Sequence, residues 1–377
     1  MSRRTLLPLC GLLLALALLL EACAVPGTIA AGERLPDAGP RPATKALPPV
    51  IFPQDEAPHH DLTEWWYYTG HLHGKDTIGR LHDYGFELTF FQTLRGQFAP
   101  FYAAHYAISD ITRVQFHYDQ RAGFEPPSVI PADGTARGFS LALDGWTAEG
   151  VAGRDRLHAA MADYTLDLAL LADKPAALHG GDGLITYGLA GFSYYYSRTR
   201  MPLTGTLLDH GRAVTVTGQA WMDHQWGNFV SLAGSGWDWY SLQLANHTEY
   251  MLYVIRDQQK RPLSVFGTYV AADGTAAELD PAGIHSRPLS AWTSPQTGGV
   301  YPSGWTVTLD VQHVTLTLAP LLLDQELVTG QSTGVAYWEG AVSISGTSGD
   351  RPIAGEGYVE LTGYAALPPG AQIGVAP

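Results

Sequence analysis

Ionisable side chains stand between large aromatic side chains in three stretches of this sequence, residues 60–70, 221–229 and 236–244. A carboxyl group on an apolar face has either a polar partner or a raised pKa, and both conditions are common where proteins transfer protons. The pattern therefore points to acid–base chemistry in an apolar setting, with a buried structural hydrogen bond as the alternative. The candidate catalytic residues are Asp238, His224, Asp223 and Glu64.

Strand geometry distributes these candidates over different faces. If the second stretch is extended, His224 and Trp226 share one face and Asp223 lies on the opposite face. By the same alternation, Asp238 shares a face with Tyr240. The aromatic residues are individually typical of a protein core, but together they would line a substrate cavity: Trp65, Trp66, Tyr68, Trp226, Trp237, Trp239 and Tyr240.

The elements that position these residues are predicted to be β-strands. Apolar residues alternate with period two along residues 80–93, 164–171, 212–222, 237–245, 251–257, 305–318, 335–345 and 356–363. Turn sequences at 246–249, 273–275 and 348–350 have hairpin spacing, and 155–162 is a marginal helix candidate. A faint echo between 66–72 and 337–342 indicates two similar halves. The sequence therefore predicts an all-β protein with two antiparallel barrels or sandwiches, and barrels of this kind enclose one small apolar ligand.

The first residues read as an export signal. Arg3 and Arg4 precede an apolar run that ends at Ala22-Cys23, as in bacterial lipoproteins, and the arginine pair also fits twin-arginine export. We expect an exported protein anchored through lipidated Cys23, on the outer face of the cytoplasmic membrane or in the periplasm; a retained transmembrane helix is the alternative. The expected organisation is signal peptide 1–22, Pro/Ala/Gly-rich tether 23–55, N-terminal domain 56–218, C-terminal domain 219–366 and tail 367–377.

Composition excludes several function classes. The 377 residues carry 22 basic and 36 acidic side chains, a net charge of −14, so a phosphate-binding face for nucleic acid is not expected. The sequence has no Walker phosphate loop, His-Glu-x-x-His zinc motif or dinucleotide-binding glycine motif. We therefore expect neither nucleotide nor thiol–metal chemistry.

Two weaker patterns have structural explanations. The string from Gly330 to Gly334 matches Gly-x-Ser-x-Gly, but no histidine follows His313, so a hairpin loop is the better interpretation. Histidines 59, 60, 71, 73 and 82 cluster as an imidazole metal site would, but no carboxylate completes a recognised ligand spacing. We predict that they make hydrogen bonds or face solvent, and that the protein holds no metal.

The three aromatic stretches, together with residues 86–91, resemble the carotenoid 1,2-hydratase (hydroxyneurosporene synthase) family and its AttH-like relatives. The most specific part is the Asp-His-x-Trp-Gly string at 223–227, and the resemblance spans about residues 55–365. It implies two lipocalin-like β-barrel domains and hydration of a terminal isoprenoid double bond without a cofactor. On this resemblance His224 and Trp226 match family positions directly, and Asp238 is the counterpart of the catalytic acid. The export signal is more typical of the AttH-like branch.

Alkene hydration needs a neutral proton donor in a dry pocket and π faces around the developing cation. Asp238 between two tryptophans fits the donor, and His224, oriented by Asp223 or Glu64, fits the proton acceptor. The leading hypothesis is a cofactor-free hydratase that binds a long isoprenoid or similar hydrophobic molecule. The alternatives are a non-catalytic lipid carrier and a hydrolase in which Asp223 and His224 activate water.

Overall fold

The computed structural model describes residues 47–94, 100–124, 138–187, 191–229 and 236–366. Within them the protein is built from β-strands, with two single-turn 3-10 helices at Gln54–Glu56 and Pro281–Gly283. No helix among these residues is long and apolar enough to cross a membrane. The signal peptide, Cys23 and the 367–377 tail lie outside the described residues.

Twelve strands form the first antiparallel sheet, in the order β4-β3-β2-β1-β12-β11-β8-β7-β6-β5, with β9 and β10 also paired to β11. Strand β5 returns to contact β3 and β4, so the sheet curls into a nearly closed barrel, here the first barrel. Its strands are β1 Thr63–Asp76, β2 Leu81–Thr93, β3 Phe101–Asp110, β4 Gln115–Gly123, β5 Phe139–Leu143, β6 Trp146–Val151, β7 Arg154–Ala160, β8 Tyr164–Leu171, β9 Ala177–Leu178, β10 Leu184–Thr186, β11 Gly191–Asp209 and β12 Arg212–Phe229.

Ten strands form the second antiparallel sheet, in the order β16-β15-β14-β13-β22-β21-β19-β18-β17, with β20 paired to β21. It curls around its own core and is called the second barrel. Its strands are β13 Gly236–Leu244, β14 Glu249–Arg256, β15 Pro262–Val270, β16 Ala276–Glu278, β17 Ile284–Thr293, β18 Val300–Leu309, β19 Val314–Pro320, β20 Glu326–Val328, β21 Ala336–Ser348 and β22 Arg351–Thr362. The prediction of two antiparallel barrel domains is confirmed.

Each barrel has its own apolar core, and a third apolar cluster lies between them. Along β1, Trp66 and Tyr68 point into the first barrel, while Tyr67 packs with Trp239 and Tyr358 of the second barrel. Both faces of this strand are therefore covered, which is why its burial is almost continuous rather than alternating. Polar side chains also join the barrels: Glu249 of β14 is fully buried and meets Lys174 at 2.7 Å and Arg200 at 2.5 Å.

Two expected boundaries and one expected helix need correction. The division expected between residues 218 and 219 falls inside β12, because Gly218 pairs with Leu72 of β1 and Leu203 of β11; the first sheet ends at Phe229. The tether does not run free to residue 55, since the carbonyl of Pro48 accepts a hydrogen bond from Tyr194 at 2.7 Å. The marginal helix at 155–162 is instead strand β7, stabilised by ladders to β6 and β8.

The predicted turns lie where hairpins connect strands. Residues 246–249 join β13 to β14, 273–275 join β15 to β16, and 348–350 join β21 to β22. The long alternating run at 305–318 is two strands, β18 and β19, with a tight turn in which His313 has φ +52°. Apolar residues fall on odd positions up to Val311 and on even positions from Val314, so the alternation changes phase at this turn.

Candidate active site

The side chain of Glu64 is the centre of a polar group inside the first barrel. It is fully buried, and the β1–β12 register brings this end of β1 beside His224. Its Oε1 lies 2.8 Å from Nε2 of His224 and 2.8 Å from Nδ1 of His59. Its Oε2 accepts hydrogen bonds from the backbone N–H of His59 at 2.8 Å and the amide of Gln92 at 3.1 Å. One carboxyl group is therefore held by two imidazoles and two further donors.

Aromatic rings enclose both imidazoles. The His59 ring is stacked on Trp226 with centroids 4.1 Å apart, and the His224 ring is stacked on Trp66 at 4.5 Å. The Tyr196 hydroxyl lies 3.2 Å from Nδ1 of His224, the nitrogen that faces away from Glu64. These contacts fix the ring planes, so the nitrogens that face the carboxyl group have little freedom to turn away.

Burial controls the protonation state of His224. It lowers the pKa of His224 to about 4, and the hydrogen bond and charge of Glu64 oppose that shift only in part. His224 is therefore neutral near pH 7. The side chain of His59 is 19% exposed, so the group is open to solvent at this imidazole and closed at His224.

A small cavity borders this group. Its volume is about 10 Å³, close to the space that one water molecule needs, and its lining is mostly apolar. Trp66 and Gln92, which contact His224 and Glu64, contribute to that lining, together with Phe90, Tyr102 and Leu141. The cavity is therefore separated from the carboxyl–imidazole group by Trp66 and Gln92, and His59, Glu64 and His224 do not line it.

The same group offers metal ligands. Among the described residues, His59, Glu64 and His224 are the cluster in which one ligand atom from each lies within 4.8 Å of the others. Two imidazoles and a carboxylate form a donor set that suits Zn²⁺ and similar ions.

Comparison with known proteins identifies the family. The AttH-like family model matches residues 43–364. This chain belongs to the AttH-like family. A Nitrosomonas europaea protein assigned to AttH has a crystal structure that is 30% identical and superposes with a TM-score of 0.73, covering 84% of this chain and 98% of that one.

Two kievitone hydratases are also similar to this AttH-like chain. The protein from Fusarium solani subsp. phaseoli is 26% identical over 223 residues, which cover 57% of this chain and 61% of that protein, less than two thirds of its length. The crystal structure of kievitone hydratase from Nectria haematococca is 19% identical with a TM-score of 0.66, covering 86% of this chain and 95% of that one. At that identity the structure supports the shared fold.

The AttH-like structure brings two of the four candidate catalytic residues together. Glu64 and His224 are in contact, whereas Asp223 points from the opposite face of β12 into the contact between the barrels. There Asp223 accepts hydrogen bonds from Tyr195, Ser197 and Trp221, and burial raises its pKa to about 7. The hypothesis that Asp223 orients His224, or forms a water-activating pair with it, is wrong, because neighbouring residues of a strand point to opposite faces.

Asp238 lies in the second barrel, away from the Glu64 group. It shares its face with Tyr240, as expected, and it is paired with Arg256 at 2.9 Å and with the hydroxyl of Tyr364 at 3.0 Å. Burial raises the pKa of Asp238, while the positive charge of Arg256 opposes the rise. The guanidinium of Arg256 also lies over the Tyr364 ring at 3.9 Å. Asp238 and His224 therefore do not form a single donor–acceptor site.

The predicted aromatic lining is divided among three places. Trp66, Tyr68 and Trp226 face the interior of the first barrel, and Tyr240 faces that of the second. The remaining three pack in the cluster between the barrels: Trp65, Trp237 and Trp239.

Several residues of the site were not found from the sequence. Gln92 and Tyr196 hold Glu64 and His224, yet they lie on other strands, so their sequence separation hides the contact. Asp155 is buried in the first barrel, accepts a hydrogen bond from Tyr68 at 2.8 Å and has a pKa raised by burial to about 7. The alternation on β7 would have marked Asp155 as inward-facing had that segment been predicted as a strand.

The Gly-x-Ser-x-Gly string is the hairpin loop between β20 and β21, as predicted. A histidine from earlier in the chain nevertheless reaches it, since Nε2 of His105 lies 2.9 Å from the Ser332 hydroxyl. Both side chains are buried. Nδ1 of His105 lies 2.7 Å from the Tyr337 hydroxyl, which donates to Glu87 at 3.0 Å. These bonds tie the two barrels together.

Three other histidines of the predicted cluster make polar contacts away from Glu64. Nε2 of His71 lies 2.9 Å from the carbonyl of Gly357 in the second barrel. His73 is exposed and pairs with Asp83 at 2.8 Å, while His82 lies 3.5 Å from Asp76. These three therefore make hydrogen bonds and ion pairs, and His59 alone of the cluster reaches the Glu64 group.

Proposed function

We propose that this AttH-like protein is a hydro-lyase that adds water across a C=C bond of a hydrophobic, isoprenoid-type molecule inside the first barrel. The observation that carries the proposal is the buried Glu64 carboxyl group held at 2.8 Å by two imidazoles and enclosed by stacked tryptophans. The similarity to a kievitone hydratase supports the reaction class. The terminal double bond of a carotenoid is one C=C bond that this reaction would hydrate.

Proton transfer is the first step of the proposed reaction. The acid form of Glu64 gives its proton to the less substituted alkene carbon, and the positive charge develops on the neighbouring tertiary carbon. Trp66 lines the adjoining cavity and is the ring placed to stabilise that charge, at about 1–2 kcal/mol when desolvated, whereas Trp226 is already stacked on His59 and Tyr194.

Water addition completes the reaction. A water attacks the cation through its oxygen, and the proton that it loses passes to an imidazole of the group and back to Glu64. The short bonds from Glu64 to His59 and His224 give that proton a path. Side chains supply both acid and base, so this mechanism needs no cofactor. Because the cavity has room for about one water, substrate entry requires movement of the side chains that line it.

We further propose that the enzyme is exported and anchored through Cys23, as the N-terminal sequence indicates. A Cys23→Ser variant should leave the membrane fraction while its activity is retained. Unchanged membrane retention of that variant would count against the lipid anchor.

The test of the reaction uses residues 24–377 incubated with a membrane lipid extract containing carotenoids in ¹⁸O-labelled water, followed by mass spectrometry of bound and free lipids. We expect an isoprenoid product heavier by one labelled water, and its loss in Glu64→Gln. Glu149→Gln is the matched control, because Glu149 is exposed on β6. Retained lipid without a mass change would instead favour a carrier, and cleaved esters would favour a hydrolase.

A further inference from the structure

We propose that His59, Glu64 and His224 form a binding site for one divalent transition-metal ion, with Zn²⁺ as the best match, and that the bound ion blocks proton transfer. The binding part stands on geometry alone. The inhibition part rests on the proposed function, because it concerns the same three side chains.

The ligand atoms are already close to a metal-binding arrangement. The Glu64 oxygen lies 2.8 Å from a nitrogen of each imidazole, and all three atoms lie within 4.8 Å of one another. Zinc bonds of about 2.0–2.2 Å place neighbouring ligand atoms roughly 3.4 Å apart in a tetrahedron. The Glu64 oxygen and each imidazole nitrogen would therefore have to separate by about 0.6 Å to admit the ion, and the two nitrogens already lie within 4.8 Å of each other.

The outer contacts are those that metal-ligating side chains require. A ligating imidazole normally gives its other N–H to a carboxylate, a carbonyl or another acceptor. For His224 that partner is the Tyr196 hydroxyl at 3.2 Å from Nδ1. For His59 the Asp55 carboxylate lies 3.6 Å from Nε2, within ion-pair distance, and would have to approach to about 3 Å to accept a hydrogen bond. Each imidazole proton can therefore lie on the outer nitrogen, toward Tyr196 or Asp55, which leaves the inner nitrogen free as a ligand.

The donor set and its surroundings select the type of ion. Nitrogen ligands favour Zn²⁺, Co²⁺, Ni²⁺ and Cu²⁺ over Mg²⁺ and Ca²⁺, which prefer all-oxygen sites. Gln92 and the backbone N–H of His59 hold the second oxygen of Glu64, so the carboxylate would bind through one oxygen. Three protein ligands leave the fourth tetrahedral position for a water.

Metal binding and proton transfer need the same lone pairs. An ion on these atoms would occupy the Glu64 oxygen and both inner nitrogens that the proposed hydration uses. Bound Zn²⁺ should therefore lower hydratase turnover, and a chelator should restore it.

The binding experiment measures metal content without reference to activity. Protein treated with a chelator and then desalted is mixed with one equivalent of ZnCl₂, passed through gel filtration and analysed by mass spectrometry for metals. A parallel sample with Co²⁺ is examined for visible d–d absorption. We expect one ion per chain in the wild type, and affinity weakened at least about tenfold in His59→Gln and in His224→Gln.

Two histidines outside the group serve as controls. His60→Gln removes an exposed neighbour, and His73→Gln removes a surface imidazole that has its own carboxylate partners. Metal content should be unchanged in both. Because His59 is partly exposed, its variant should fold even if the His224 variant does not.

The outcomes separate the two parts of the proposal. No stoichiometric ion in the wild type, or metal content that His59→Gln leaves unchanged, would overturn the metal site. Turnover that rises with Zn²⁺ would overturn the inhibition. Metal bound by a protein without hydratase activity would support the site and count against the proposed function.

Discussion

The contact between the barrels should make stability depend on pH through Glu87. This residue of β2 is buried, and its Oε1 accepts hydrogen bonds from Thr89 at 2.9 Å and Tyr337 at 3.0 Å, while its Oε2 has no partner. Glu339 of β21 is also buried, has one unpartnered oxygen, and has a pKa raised by burial and by the charge of Glu87. Within the described residues neither carboxyl group forms an ion pair with a cation, so both are expected to be neutral acids at mildly acidic pH.

The magnitude follows from the pKa of Glu87. Burial raises this pKa from 4.5 to about 7, against the lowering effect of its two hydroxyl donors. At about 1.4 kcal/mol per pH unit, the shift corresponds to about 3 kcal/mol of free energy of unfolding. Because the folded state holds the proton more tightly, this stability is fully present below pH 4.5 and is lost as the pH rises through about 7.

The Glu87→Gln variant removes the titration but keeps the acceptor oxygen for both hydroxyl donors. Urea unfolding of the wild type and the variant is compared from pH 4.5 to 8.5. The stability of the variant relative to the wild type should rise by up to about 3 kcal/mol across this range. Glu149→Gln, on the exposed face of β6, should show no such trend.

The difference between variant and wild type is the decisive quantity, because other buried groups also titrate. Burial raises the pKa of Asp223 to about 7 and lowers that of His105 to about 3, so their effects on the wild-type curve have opposite signs. A difference that stays constant between pH 5 and 8 would refute the argument that Glu87 is a buried neutral acid.

Three further changes test the packing and the assignment of the site. Glu249→Ala leaves two buried cations unpaired and should reduce the free energy of unfolding by about 3–5 kcal/mol in urea titration, whereas Ala at exposed Glu278 should change it little. Asp238→Asn should lower the free energy of unfolding by about 2–4 kcal/mol, since it weakens a buried ion pair, but should leave the proposed hydratase turnover intact; loss of turnover in folded protein would restore Asp238 as the acid. Gly85→Ala should lower the melting temperature, with about 1–3 kcal/mol lost, because its Cβ would overlap side chains of the second barrel; Gly123→Ala, whose nearest neighbour is at 3.7 Å, is the control.

The fold was largely predictable because strand alternation is a local property. The runs at 164–171 and 237–245 are strands β8 and β13, and the turn at 348–350 is a hairpin. Prediction failed where local pattern and tertiary pairing differ. Gly218 looked like an end of a domain, yet it is held between β1 and β11, and β7 looked marginally helical until ladders on both sides fixed it.

The structure brings two of the four candidate catalytic residues into contact. Glu64 and His224 meet because their strands pair in register, and the sequence showed only that each stood among aromatic residues. The sequence also showed that Asp223 and His224 face opposite ways, which already argued against their acting as a pair. Asp238 looked like an unpaired acid because its partner, Arg256, lies on the next strand.

The sequence by itself determined the strand periodicity, the hairpin turns and the family, because these depend on neighbours a few residues apart or on motifs read in order. Only the tertiary structure decided which polar residues share a site. The contact of His59, Glu64, Gln92 and His224 depends on the register of three strands and on where the chain docks before β1. The buried carboxyl groups between the two barrels likewise lie there because of which face of each sheet packs against the other barrel. That packing depends on contacts between residues far apart in the sequence.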